Sequence, residues 1–324
     1  MAALTVAIHG AGVAGLCLSA ELRARGVDVS VSDPAAGPGA HACSWWAGGM
    51  LAPGCEGESA PEAVERLGAV AADWWAAAGI EVVRRGTLVL AASRDRSELQ
   101  RYARLTRGHR AVDADDIAAL EPQLAQRFSS GLYFEDEAHL DPRQALHTLA
   151  SQQPIEPSRE RREGAGVQSV DCRGLAARDE LDSLRGVRGE MLVLRCPEVN
   201  LSRPVRLLHP RMPLYIVPRG DHVYMVGATM VESDGRAHVS ARALLELLSA
   251  AYAVDPAFAE AEVLEIGVDA RPAFPDNLPR VVVRDDRVYL NGLFRHGYLM
   301  APVLARQAAD YLVNGVRGEL VYAD

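Results

Sequence analysis

An apolar run from Leu4 to His9 leads directly into Gly10-Ala11-Gly12-Val13-Ala14-Gly15, then a stretch of helical periodicity reaching Arg25, then a second apolar run from Val27 to Asp33. Strand, tight glycine turn, helix and strand in that order make a βαβ start, which commits the chain to a sheet with a crossover helix. Gly10 permits the tight turn, Gly12 lets a pyrophosphate approach the backbone, and Gly15 lets helix and strand pack closely. The helix N-terminus meets the phosphate charge. Asp33 stands 18 residues beyond Gly15 at the end of the second strand. There it can accept hydrogen bonds from ribose hydroxyls, and its charge disfavours a 2′-phosphate, so FAD or NAD is expected rather than NADP.

The middle of the chain reads as helices and short strands. Ser59 and Glu62 form an expected capping box for a helix running to about Gly79 that carries Trp74 and Trp75. Thr87 to Ala92 is strand-like, Ser93 to Arg107 an amphipathic helix, and Asp113 to Leu120 a short helix stopped by Pro122. Asp141-Pro142 is an N-cap followed by a first-turn proline, opening another helix. From Val187 onward alternation and turns take over: Gly189 to Leu194, Val205 to Leu208, Leu214 to Val217 and His222 to Val226 read as antiparallel strands, and Val263 to Val268 as another strand. Ser240 caps a helix, Val281 to Val283 and Val288 to Leu290 form a hairpin, and Gly297 to Val313 is the last helix. The expected fold class is α/β: a Rossmann-like nucleotide-binding lobe interleaved with an α+β substrate lobe on a largely antiparallel sheet. Residues 1–80, 140–186 and 280–324 are assigned to the first lobe, and 81–139 and 187–279 to the second.

Composition removes several functions. None of the 34 basic residues is Lys, which excludes Schiff-base chemistry and phosphate loops ending in Gly-Lys-Ser/Thr. A net charge of −9 argues against nucleic acid or an anionic membrane as partner. The densest basic run, Arg159, Arg161 and Arg162, is interleaved with Glu160 and Glu163 and reads as a solvated loop. Five Cys without a Cys-x-x-Cys pair or clustered His indicate neither a disulfide framework nor a metal site. No basic segment precedes the first apolar run and no apolar stretch approaches about 18 residues, so the cytoplasm is the expected compartment.

Further candidates follow from chemistry. A second glycine site, Cys172 and Gly174 after a strand from Val167 to Val170, offers another close backbone approach. The small residues Ala47, Gly48 and Gly49, with Met50, would let a planar ring lie against the backbone. Arg271, expected just beyond a strand in a proline-braced loop, could grip a carboxylate bidentately. Arg295 precedes His296-Gly297 and the last helix, whose N-terminus suits an anionic reduced ring.

These pieces in this order resemble the D-amino-acid oxidase superfamily of FAD enzymes, most closely the glycine oxidases of bacterial thiamine biosynthesis. The resemblance spans nearly the whole chain. Its specific motifs are Ala47 to Pro53, Val187-Arg188-Gly189-Glu190-Met191, Tyr215-Ile216-Val217-Pro218-Arg219 with Val226 to Met230, Ala270 to Asp276, and Gly292 to Pro302. It implies that Arg271 pairs with the substrate carboxylate, assisted by Tyr215, that Met230 lines the pocket, and that Arg295 is a second arginine at substrate and flavin. It further implies that Leu293, His296, Gly297, Tyr298 and Leu299 wrap the flavin, that Ala47 to Met50 face its N5 region, and that Val13, Ala14, Asp33 and Pro34 contact the ADP. Three departures stand out: Trp45 and Trp46 where relatives have small residues, Phe294-Arg295-His296-Gly297 near the flavin, and a short stretch between the Asp141 helix and Asp171.

The implied reaction is oxidative deamination of glycine or another small amino acid: hydride passes from Cα to flavin N5, O2 is reduced to H2O2, and the imine goes to hydrolysis or to a thiazole-forming enzyme. FAD is expected to be non-covalent, since no Cys lies near Arg295. Oxygen reduction favours a positive charge near the ring, which without Lys must come from Arg295, His296, another Arg or the iminium. The alternatives are a D-amino acid or sarcosine-type oxidase, a dehydrogenase, and a non-catalytic flavoprotein subunit. The resemblance also implies a homo-oligomer, for which the tryptophan pairs offer an interface.

Overall fold

The computed structural model describes residues 4–158, 166–209, 213–285 and 287–323. The charged run at Arg159, Arg161 and Arg162 therefore lies outside the described residues. A seven-stranded sheet has the order Val321–Ala323, Arg280–Arg284, Arg287–Asn291, Val167–Asp171, Thr5–His9, Asp28–Asp33, Ile155–Pro157. Thr5–His9 pairs in parallel with both Asp28–Asp33 and Val167–Asp171. All three strands therefore bring their C-terminal ends to one edge, where ligands bind in sheets of this kind. Helix Val13–Ala24 packs against the last helix, Gly297–Asn314, and one core joins Ile8, Leu16, Leu18 and Leu22 to Met300, Leu304 and Ala308.

The second sheet has nine strands. Glu262–Ala273 lies on Arg185–Arg195, followed by Val223–Gly227, Leu214–Pro218, Val205–Leu208, Thr87–Ala91, Ser130–Phe134 and Arg110–Asp113, with Val231–Glu232 beside the start of Arg185–Arg195. Helix Ala241–Val254 covers one face, seating Leu247, Ala251 and Val254 on Leu192, Leu194, Ile216 and Val226. Its cap, Ser240, accepts from Ala243 N at 3.2 Å, and Asp141 caps helix Pro142–Ser151 through the Arg143 and Gln144 amides.

Several expectations need correction. Ser59 and Glu62 form no capping box: Pro61 occupies the N-cap, and two helices, Glu62–Gly68 and Ala71–Ala77, replace the single one. The break follows packing, since a Cβ on Gly68 would lie 2.6 Å from Leu299 Cγ, and the Ser59 hydroxyl accepts from Arg295 instead. Val205–Leu208 is antiparallel to Leu214–Pro218 but parallel to Thr87–Ala91. Strands Arg110–Asp113 and Ser130–Phe134 had no clear alternation to reveal them. Trp74 and Trp75 are buried, and their indole N–H groups donate to Glu21 and to Tyr298 O. They belong to the core and cannot form an interface.

Candidate active site

A cavity of about 830 Å³ lies between the two sheets. Gly10, Gly12, Val13, Ala14, Asp33 and Pro34 line one end, with Cys172 and Gly174 beside them. Ala47 to Met50 and Leu293 to Leu299 form its middle, and Tyr215, Met230 and Arg271 line the end formed by the second sheet. Gly15 is the one candidate that does not line it. A Cβ there would sit 2.0 Å from Gly10 O, so Gly15 serves helix–strand contact and not the ligand.

The dinucleotide end is built from backbone. Gly10 holds φ at +106°, and a Cβ on it would meet Cys172 O at 2.5 Å, which leaves an unobstructed turn only for glycine. The Asp33 carboxylate is fixed by Ala11 N at 3.0 Å and Ala35 N at 2.9 Å. Ser44 Oγ accepts from Val13 N at 3.1 Å, tying the following loop to the helix start; the sequence held no sign of it beyond a small hydroxyl in that loop.

The loop that faces the cavity's middle is held by a residue known from sequence only as part of a motif. Arg219 donates to Leu140 O at 2.7 Å, Ala47 O at 3.1 Å and Gly48 O at 2.8 Å. Burial lowers its pKa to about 10, so the guanidinium stays charged at neutral pH and keeps these carbonyls in place. Tyr298 donates to Ser44 O at 3.0 Å from the other side. Trp46 packs on Gly267, where a Cβ would lie 2.2 Å from its ring, and Arg143 stands over Trp45 at 4.6 Å and Trp46 at 5.4 Å while pairing with Glu265. These tryptophans clamp the loop to strand Glu262–Ala273.

Arg271 is not in a loop. It sits inside strand Glu262–Ala273 opposite Val187, because the ladder with Arg185–Arg195 continues to Ala273. Its guanidinium fills the space above Gly189, where a Cβ would be 2.1 Å from Nη2, and donates to Thr229 O at 3.3 Å. Among the described residues no carboxylate lies within 4.0 Å of it. Tyr215 lies beside Gly48, whose Cβ would be 2.8 Å from the ring. Burial raises the Tyr215 pKa even though Arg271, Arg206 and Arg219 pull it down, so the phenol remains a neutral donor. Met230 is 60% exposed and stands at the rim.

Arg295 is bound to Glu56 at 2.7 Å and Ser59 Oγ at 2.5 Å, and His296 Nδ1 is 3.3 Å from the same carboxylate. Burial opposes ionisation of Glu56, but Arg295, His296 and Arg206 outweigh it and hold its pKa below the usual range. His296 is pushed down to about 4 by burial, partly offset by Glu56. It is neutral near pH 7 and supplies no positive charge, and that of Arg295 is largely offset by Glu56. Glu56 escaped the sequence reading because nothing in Pro53-Gly54-Cys55-Glu56 announces a partner 239 residues away at Arg295.

All five cysteines are free. No group of three or more potential metal ligands occurs among the described residues, and none of their helices is long and apolar enough to cross a membrane.

A profile of the family described as FAD dependent oxidoreductase matches residues 5–311. The chain is 52% identical, over 96% of its length and 97% of the relative's, to a Rhizobium etli protein named "Putative thiamine biosynthesis oxidoreductase ThiO". It is 24% identical over 98% of its length to the bifunctional protein ThiO/ThiG of a Synechocystis species, spanning 53% of that protein. Among solved structures, glycine oxidase from Geobacillus kaustophilus superposes with TM-score 0.78 at 22% identity, over 98% of this chain and 96% of that one. L-alpha-glycerophosphate oxidase from Mycoplasma pneumoniae with FAD bound gives 0.76 at 18%, over 97% and 95%. These two structural likenesses concern the fold.

Proposed function

The chain belongs to the FAD dependent oxidoreductase family, and from that premise we propose that it oxidises glycine, or another small amino acid, to the imine for the thiazole branch of thiamine biosynthesis. The glycine cradle suits the cofactor: Gly10 and Gly12 leave backbone room for a pyrophosphate, and Asp33 stands where a ribose would lie. Residues 1–80, 140–186 and 280–324 hold FAD in this reading, and 81–139 with 187–279 receive the substrate. The attachment is non-covalent. Burial pushes the Cys43 thiol up to about 12 and also raises the Cys172 thiol, so neither cavity cysteine offers a thiolate.

Bound FAD supplies the hydride acceptor and, with O2, the route to H2O2. Arg271 takes the substrate carboxylate, and its two terminal nitrogens match the two oxygens. Tyr215 donates a second hydrogen bond, and Gly48 leaves room for its ring. Arg219 keeps Ala47 and Gly48 from moving, so Cα is presented at a fixed position and positioning carries the catalysis without a side-chain base. The observation that carries this reading is the Arg271 cation, facing the cavity without a described carboxylate partner. The Synechocystis relative, with about half its length outside the match, supports hand-over of the imine to a thiazole-forming enzyme, and the cytoplasm suits that role.

The test is a visible spectrum recorded anaerobically before and after adding glycine. The flavin band near roughly 450 nm bleaches if the reading is right; an oxidised spectrum with glycine, sarcosine, D-alanine and D-proline alike would overturn it. Rates across that panel assign the preferred substrate.

A further inference from the structure

The second sheet places another cation in the cavity wall. Arg206 is 8% exposed, lines the cavity, and sits directly opposite Tyr215 in the Val205–Leu208 and Leu214–Pro218 pairing. Opposite residues of an antiparallel pair point to the same face with Cβ atoms about 5 Å apart, so Arg206 and Tyr215 approach the ligand together. Buried charged groups are normally bonded by the protein, because leaving their donors without acceptors is costly. Arg206 makes no hydrogen bond with any described residue; its nearest carboxylate, Glu58, is 3.7 Å away, and Tyr102 lies under it with the ring centroid at 5.6 Å. The acids around it, Glu56 and Glu58 among them, share their charge with it but take their hydrogen bonds from other groups. Glu58 is drawn to Arg101 at 2.5 Å, Glu56 to Arg295 at 2.7 Å, and Glu137 accepts from Cys55 N at 2.7 Å.

A guanidinium more than nine-tenths buried that lines a cavity and has no hydrogen-bond acceptor among the described residues still has donors to offer a ligand. We propose that Arg206 is a specificity-determining residue that receives a second oxyanion of the substrate, so that the pocket favours amino acids carrying an acidic group beyond the α-carboxylate. This rests on the reading that Arg271 holds the α-carboxylate. The two arginines then grip the two ends of a dianion, with Tyr215 between them. Glycine leaves the second position to water.

Malonate and acetate, which cannot be oxidised, test this by titration of the flavin absorbance of the FAD-loaded protein. Malonate is expected to bind about tenfold or more tightly than acetate. In Arg206→Met that ratio falls to about twofold or less, while Arg206→Lys retains part of it. Equal binding of the two anions by the unmodified protein overturns the proposal, whether or not the variants fold. So does an undiminished ratio in a folded, FAD-loaded Arg206→Met. A turnover comparison follows: D-aspartate over D-asparagine, which differ in charge and hardly in shape, should show a kcat/KM ratio that drops in Arg206→Met. Because anion binding needs no turnover, the inferences fail separately. Bleaching by glycine with no malonate preference sinks the Arg206 role alone, and malonate preference without bleaching by any amino acid sinks the oxidase reading alone.

Discussion

Arg271 is a partly buried cation with no described carboxylate within 4.0 Å, though its charge is felt by Asp269, and on the proposed reading a substrate carboxylate completes it. Truncating one side of such a pair leaves the other unpaired and costs about 2 to 5 kcal/mol. Arg271→Ala should therefore raise KM for glycine by roughly 30-fold or more, with flavin absorbance retained; steady-state kinetics with an unchanged KM would refute the assignment. A second side chain gives a pH signature. Glu137 is buried against Cys55 N, and burial raises its pKa from the ordinary 4.5 to about 7. Its folded-state pKa exceeds its unfolded one, so its contribution is fully present below about 4.5 and is lost as pH rises through about 7. Glu137→Gln keeps the accepting oxygen and removes the titration. Its melting temperature should gain on that of the unmodified protein between pH 5 and 8, by a difference equivalent to roughly 3 kcal/mol at most. A constant difference across that range would show that Glu137 titrates normally. His139 and His296, both lowered to about 4, act in the opposite sense below about pH 6.5 and cancel in this comparison.

Among the elements, the pairing of Arg185–Arg195 with Glu262–Ala273 does most to shape the site, because it sets Arg271 above Gly189. A methyl group on Gly189 would strike the far end of a flexible side chain, which can swing away cheaply. Gly189→Ala should therefore change the melting temperature little, by the equivalent of about 1 kcal/mol or less, yet raise KM for glycine as Arg271→Ala does. If KM stays put, the guanidinium does not act from that position. The same pair shows what periodicity can and cannot reveal. The apolar run from Val263 to Val268 made a strand legible, but Ala270-Arg271-Pro272 looks like a loop, and only the eleven-residue partner strand carries the ladder on to Ala273. Caps read from chemistry held where the backbone was free to use them, at Asp141 and Ser240. The box at Ser59 failed because Pro61 fixed the helix start and Arg295 took the hydroxyl.

Across the whole molecule, the cavity is walled by two sheets with separate cores, so a bound dinucleotide touches both. FAD binding the folded chain alone should add about 2.7 kcal/mol of apparent stability at a free concentration 100 times its Kd, and stripping FAD should lower the melting temperature by the corresponding amount. A melting temperature indifferent to added FAD would contradict the cradle at Gly10 and Gly12. Sequence by itself pointed to the βαβ head, to a dinucleotide through Asp33, away from amine chemistry by the absence of Lys and, with the family motifs, to most of the candidates that line the cavity, because each depends on local geometry, on a side chain's chemistry or on a motif. Tertiary structure alone decided which charges are spent and which are free. Arg295 is neutralised by Glu56 and Arg219 is consumed by three carbonyls, whereas Arg271 and Arg206, neither of them hydrogen-bonded to a described carboxylate, line the cavity. The physical reason is that a guanidinium carries the same charge everywhere in the chain, and only the acceptors brought within about 3 Å by folding settle whether anything remains for a substrate.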